Sequence, residues 1–482
     1  MRTIVAKRMT GKVALAAFLT ICTLAVQAAG QMSASGADRF TIRRSQVSPG
    51  VRLTRIIDSR GPNRISVLTV DPSRAPTIDV ALARNKLPGN QRTSGMAAEH
   101  GAVAAVNGTF GLPGGRPVGL FAEDGDLKTS SLTWGRAFAP THDKTNYFFG
   151  HPGFSVTATG DTSGTILRVH TWNEGPPAKD EIAGYTTAGR RMIQPPTDAC
   201  SARLLPRSKQ AWAENQDGFE RQMIVDRVRC SDQRMKRLGG IVLATPTWGL
   251  LAPKLRSLLQ GEPVMMRWSF GWPGALDVLP GNPTLLEGGD NVGYSCASPF
   301  CGRNPRTGVG LDGEGRVLLV TVDGRRPGYS VGMTLAEFAR QFERLGASWA
   351  LNLDGGGSTT MWVEGRVINR PSDPAGERYV SSALLVLGGQ DPGEVEPLSY
   401  GSLAFGTSTG GRTSTDSALA VSSSPEGPSL QSVLSGELAA DDPGSTGGLL
   451  DAIDGGDVEP AARLSPALQR IADDFEDGVA RP

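Results

Sequence analysis

The sequence predicts an α+β fold: a β-rich, mixed-sheet single domain with a few helices, flanked by an N-terminal signal peptide and a disordered C-terminal tail. Three observations carry this. Short alternating or β-branched runs such as "VRLTRIID", "RISVLTVD", "QMIVDRVR", "RVLLVTVDG" and "SSALLVL" recur between clusters of Gly, Pro, Asn and Asp, which is the pattern of strands and turns. Helical periodicity is confined to "TSGMAAEHG", "LLAPKLRSLLQ" and "MTLAEFARQFERLG". Composition changes abruptly at both ends.

At the N-terminus, Arg2, Lys7, Arg8 and Lys12 precede the uncharged run "VALAAFLTICTLAV" and then "QAAG". Basic, apolar and small residues in that order make a secretory signal peptide over residues 1–28, cleaved after Ala28. The run has 14 residues, short of the roughly 20 a membrane-spanning helix needs. No later segment is long and apolar enough to span, so a secreted or periplasmic protein is expected. At the other end, Asp391 to Pro482 carries 16 acidic and 4 basic residues, whereas Ala29 to Gln390 carries 32 and 41. The tail, residues 391–482, is rich in Gly, Ser, Pro and Asp and poor in aromatics. It cannot bury enough apolar surface to offset its ordering entropy. The body is residues 29–390.

Removal of Cys22 leaves Cys200, Cys230, Cys296 and Cys301, an even number in an exported chain. The short loop "CASPFC" favours Cys296 with Cys301, which leaves Cys200 with Cys230. The spacings lack the paired CxxC of zinc sites.

Within the body, Leu335, Phe338, Ala339, Phe342 and Leu345 make one apolar helical face ending at Gly346. The order there is strand, helix, strand, which puts "VDGR" and "NLDGGG" just after strand ends, where loops gather into a site. "GVGLDG", Gly308 to Gly313, matches a dinucleotide motif, but a strand follows it where a helix is required, so it is read as a hairpin turn. "GYSVG" around Ser330 matches a nucleophile elbow, but all four histidines lie upstream and Pro327 interrupts the leading strand. Thr334 is the better helix cap. The histidines show no ligand spacing. "NGT" at Asn107 matches a glycosylation sequon.

What remains is a set of polar, glycine-rich loops. "LNLDGGGSTT" offers the carboxylate of Asp354, the amide of Asn352, the hydroxyls of Ser358 and Thr359, and backbone N–H groups freed by Gly355, Gly356 and Gly357 to form an anion-binding nest. "NPRTGVGLD" adds Arg306, a bidentate phosphate clamp. "VDGRR" adds Asp323 and Arg325, and "AVNGTFG" with "PVGLFAEDG" adds Asn107 and Glu123. Each alone is a turn at a strand end; together they read as a site for a sugar joined to phosphate.

At these residues the chain resembles the phosphodiester glycosidase family. The resemblance runs in order through "VNGTF", "PVGLFAEDG", "NEGPPAKDEIAGYTT", "LPGNPTLLEGG", "NPRTGVGLDGEGRVLLVTVDGR", "GMTLAEFARQFERLGASWALNLDGGGSTTMW" and "VINRPSD…ERYVSSALLVL". It departs from the family at Gly308, where alanine is usual, in "LPGNPTLL", which usually carries more glycine before its proline, and over residues 204–238, an expected insertion without counterpart. The resemblance implies a catalytic domain that hydrolyses a sugar-1-phosphodiester, for example of N-acetylglucosamine, to free sugar and phosphomonoester. It implies Asp354 as base or nucleophile, Asp323 or Glu123 as second carboxylate, Arg306 as phosphate clamp, and Asn107 and Asn352 as sugar or orienting contacts. No cofactor is required. Two alternatives remain open: a divalent cation between the two aspartates, as in a metal-dependent phosphodiesterase, or a non-catalytic binder of anionic envelope glycan. No basic stripe with interleaved aromatics points to nucleic acid.

Overall fold

The computed structural model describes residues 39–388, apart from residues 75, 131–134, 142–145, 190–192, 209–212, 216–217 and 293–295. The expected signal peptide and acidic tail lie outside the described residues.

The body is β-rich, as expected, and three sheets organise it. The largest that bears on the site has eight strands in the order Phe40–Ser48, Val51–Asp58, Asn63–Val70, Val317–Val322, Arg306–Asp312, Ala347–Asn352, Thr284–Glu287 and Asp290–Asn291. A five-stranded sheet runs Arg366–Val367, Met361–Val363, Ala104–Asn107, Ser382–Leu387 and Thr77–Leu82. A nine-stranded sheet, built mainly from residues 155–269, contains the parallel pair Thr171–Trp172 with Ala183–Tyr185.

The sequence "VLLVTV" of Val317–Val322 is buried throughout, because both faces of its sheet are covered. Its alternate residues diverge. Val317 and Leu319 join Leu68, Val80, Val106, Val309, Leu351 and Leu384 in a core shared with the five-stranded sheet. Leu318, Val320 and Val322 face the other way and pack with Phe338, Ala339 and Phe342 of the helix Leu335–Arg344. A one-residue slip would exchange the two cores. The helix begins where expected: the Thr334 hydroxyl accepts from the Glu337 N–H and the Glu337 carboxylate accepts from the Thr334 N–H, a complete capping box. The departure at Gly308 has a packing reason. A Cβ there would lie 2.9 Å from the Phe338 ring, and one on Gly310 would lie 2.8 Å from the Phe342 ring, so these glycines let the helix reach the sheet. "GVG" is thus strand, leading into a hairpin with Val317–Val322.

Both expected disulfides form, Cys200 with Cys230 and Cys296 with Cys301. The first joins directly opposed residues of Ala199–Pro206 and Gly218–Ser231, two central strands of the nine-stranded sheet. Within residues 204–238, the strands Ala213–Asn215 and Gly218–Ser231 belong to that sheet.

Candidate active site

Topology gathers three loops at one end of the eight-stranded sheet. Arg306–Asp312 runs antiparallel to both Val317–Val322 and Ala347–Asn352, so the last two are parallel to each other and finish on the same side as Arg306 begins. Asp323, Arg325 and Asp354 follow those strand ends, as the strand-helix-strand order predicts.

Asp354 is pinned by its backbone. Its N–H donates to Gly108 O at 3.1 Å, and its carbonyl accepts from Asn107 Nδ2 at 2.6 Å. Asn107, fully buried, also accepts at Oδ1 from the Thr307 hydroxyl at 2.8 Å and from the Thr360 N–H at 3.0 Å. It orients the loop; both its burial and these bonds remove it as a sugar contact and as a glycosylation acceptor. Burial pushes the Asp354 carboxyl up to about 6, against the opposing pull of the Ser358 hydroxyl, the Arg378 charge and the Gly355 N–H.

The three glycines have three separate uses. Gly355 passes so close to Pro305 that a Cβ would lie 2.8 Å from its carbonyl oxygen; Gly356 has φ +59°; and a Cβ on Gly357 would lie 2.5 Å from Nη2 of Arg378. The N–H groups of Asp354, Gly356, Ser358 and Thr359 donate to backbone carbonyls, and that of Gly355 faces the Asp354 carboxyl. Most of the expected nest is thus committed to backbone bonds, and cationic side chains stand beside the loop. Arg378 flanks Gly357, and Arg325 flanks Gly356 with Nη2 3.1 Å from where a Cβ would stand.

These two guanidiniums are held from behind. Arg325 donates through Nε and Nη2 to Asn304 Oδ1 at 3.2 and 2.9 Å. Arg378 meets Asp373 Oδ2 through Nε at 2.9 Å and Nη2 at 2.8 Å. Nη1 of each has no protein partner among the described residues. Burial, and then the neighbouring Arg378 charge, lower the Arg325 pKa, which places the two cations within electrostatic reach of each other. A pair of like charges flanking one loop can receive an anion.

Arg306 is not one of them. Its guanidinium is buried and donates to the carbonyls of Met333 at 2.9 Å, Phe300 at 2.8 Å and Gly302 at 2.6 Å. Burial, with Arg325 a lesser cause, lowers its pKa to about 10. It staples the 299–302 and 333 loops, which corrects its expected role as a clamp. Asp323 is likewise engaged. Its carboxylate accepts from the Arg370 N–H at 3.1 and 3.2 Å, from Asn369 Nδ2 at 3.1 Å and from the Tyr329 hydroxyl at 3.0 Å. Burial raises its pKa against those donors. Glu123 bonds the Leu82 N–H at 3.1 Å and pairs with Lys128 at 3.3 Å, all away from the glycine loop. Asn352 spends Nδ2 on the carbonyls of Asn282 and Leu353, at 2.7 and 2.9 Å. Both expected second carboxylates are thus engaged elsewhere, and Asp354 is the carboxyl that the glycine loop itself carries.

Arg378 and Asn369 are not marked as site residues by the sequence. The latter donates to Thr359 O at 3.0 Å and to Asp323, and accepts from the Met361 N–H at 2.8 Å. Both residues fall in "INRPSDPAGERYV", where no spacing rule marks them. Among the described residues, one carboxylate group could hold a metal ion: Asp79, Asp124 and Asp277, with ligand atoms within 4.8 Å of one another. It includes neither Asp354 nor Asp323.

The fold and this loop define a β-rich protein whose glycine loop sets a buried, raised-pKa carboxyl near Arg378, with Arg325 against the same loop. The segment that holds them, residues 260–387, matches the phosphodiester glycosidase family. That segment contains Arg306, Asp323, Arg325, Asp354 and Arg378. The SPbeta prophage-derived uncharacterized protein YomE of Bacillus subtilis (strain 168) is 38% identical over 84 residues, which is 17% of this chain and 13% of that protein. The fold is similar to that of a hypothetical protein from Synechocystis, at a TM-score of 0.56 and 23% identity, over 73% of this chain and 64% of that one. It is also similar to that of a Burkholderia pseudomallei K96243 protein designated as exported, at a TM-score of 0.50 and 24% identity, over 68% and 74% of the two chains. The chain therefore spans less than two thirds of the length of the first relatives it matches.

Proposed function

We propose that the protein is an exported hydrolase that cleaves a sugar-1-phosphodiester, N-acetylglucosamine-1-phosphodiesters among them, at the bond between the anomeric carbon and the phosphate oxygen. The observation that carries this is the glycine loop itself, where Asp354 lies within electrostatic reach of Arg378 and Arg325 flanks Gly356. The departing phosphomonoester is a good leaving group, so a strong general acid is dispensable, in keeping with a loop that carries one carboxyl. An oxocarbenium-like transition state needs negative charge near the anomeric carbon and cations on the departing phosphate. Asp354, ionised above about 6, supplies the first as nucleophile or base. Arg325 and Arg378 supply the second through their Nη1 groups. Asn107 and Ser358 hold Asp354 in place.

Export through cleavage of residues 1–28 completes the reading. Two disulfides, and the lack among described residues of any helix long and apolar enough to cross a membrane, support it.

The test is incubation of the purified protein with UDP-N-acetylglucosamine and with the methyl phosphodiester of N-acetylglucosamine-1-phosphate, scoring free sugar by mass. Release that Asp354→Asn abolishes supports the reading. Release that survives the substitution removes Asp354 from the chemistry.

A further inference from the structure

The positive charge at this end of the sheet does not stop at the glycine loop. Arg325 and Arg326 are adjacent on one turn; the first lies against Gly356, and the second donates from Nη2 to Pro371 O at 2.8 Å. Next to that segment, Arg370 and Arg64 both lie on the Tyr329 ring, with their guanidinium carbons 5.3 and 4.5 Å from its centroid. Among the described residues neither Arg64 nor Arg370 has an ion pair. The one carboxylate in their midst, Asp323, is occupied by the Arg370 N–H, Asn369 and Tyr329. Asn369 bridges the two places, donating to Thr359 O on one side and to Asp323 on the other.

Guanidiniums placed on one ring repel each other, and a patch of this kind, half-buried at Arg64 and Tyr329 and exposed at Arg370, is relieved by a bound anion. A single phosphate is already provided for by Arg325 and Arg378. We infer that the Arg64–Tyr329–Arg370 patch is a second anion subsite that takes a further phosphate on the leaving-group side of the substrate. This rests on the proposed function for its orientation, but the subsite itself can be tested without any turnover. The shared chemistry is a leaving group with two phosphates, either adjacent, as in a nucleoside diphosphate sugar, or separated by a short polyol, as in a phosphate-linked polymer.

The experiment is titration calorimetry of the full protein with inorganic phosphate, pyrophosphate and propane-1,3-diyl bisphosphate at physiological ionic strength. Arg370→Gln serves as the variant, because the Arg370 side chain is exposed and its structural bond is made by its backbone N–H. At least one two-phosphate ligand should bind about tenfold more tightly than phosphate, and Arg370→Gln should remove most of that gain while leaving phosphate binding unchanged. The tighter of the two ligands identifies the spacing. Equal affinity for all three, or a gain that Arg370→Gln leaves intact, overturns the subsite. Failure to hydrolyse any sugar phosphodiester would overturn the proposed function and leave this result standing.

Discussion

Arg378 lies against the backbone of Gly357, with Nη2 2.5 Å from where a side-chain carbon would stand. The glycine is therefore a space reserved for a guanidinium rather than a turn requirement, since its φ is not positive. Gly357→Ala should push aside the end of a flexible side chain, changing stability by under about 1 kcal/mol while raising KM for a glycosyl phosphodiester about tenfold. Denaturant midpoints and steady-state kinetics on the same preparation check both. An unchanged KM would detach Arg378 from substrate binding.

Asp354 carries a pH-dependent cost. Its folded-state pKa, about 6, lies above its usual 3.8, so its protonated form is the one the fold prefers. Relative to a neutral isostere, the carboxyl costs nothing below about pH 4, and the penalty grows to its full size as pH rises past about 6. Asp354→Asn should therefore stabilise the protein by on the order of 1–3 kcal/mol at pH 8 and by almost nothing at pH 4. Urea unfolding at the two pH values measures it, and a destabilised variant at pH 8 would contradict the burial argument. In the wild type, kcat/KM should fall on the acid side with an apparent pKa of about 6.

Arg306 separates two roles cleanly. As a staple for three backbone carbonyls, its replacement by Met should cost about 2–4 kcal/mol through unpaired acceptors. A phosphate clamp would instead show its loss in KM with stability kept. Thermal unfolding of Arg306→Met, set beside its kinetics, decides between them.

Gly308→Ala tests how the helix is seated. Its Cβ would meet the Phe338 ring at 2.9 Å and the Leu351 carbonyl oxygen at 3.0 Å. Overpacking of this kind costs about 1–3 kcal/mol, and the smaller side chain in Phe338→Leu should recover part of it in the double variant. Additive losses would show that the ring is not the obstacle.

Strand pattern, helix period and strand-end logic made strands such as Val51–Asp58, Asn63–Val70, Val317–Val322 and Ala347–Asn352, the covering helix and the Asp354 loop legible in the sequence, but not the strand Arg306–Asp312, whose glycines read as a turn. The disulfide partners were legible too, where loop length decided the pairing. Side-chain destinations were not legible. Arg306 and Asp323 are the residue types a phosphate or glycosidic site would use, yet the fold turns both inward to tie loops together. Arg378 reaches the loop from a segment 24 residues past Asp354. It does so because Tyr379–Val380 pairs with Gln91–Arg92, a two-residue contact that no periodicity announces.

The most direct measurement is hydrolysis of UDP-N-acetylglucosamine and of the methyl phosphodiester of N-acetylglucosamine-1-phosphate in heavy-oxygen water, with wild type and Asp354→Asn in parallel. Wild type is expected to release sugar that carries the label, and the variant to release none. Label in the phosphate instead would mean that the P–O bond is cut, and would contradict the proposed function.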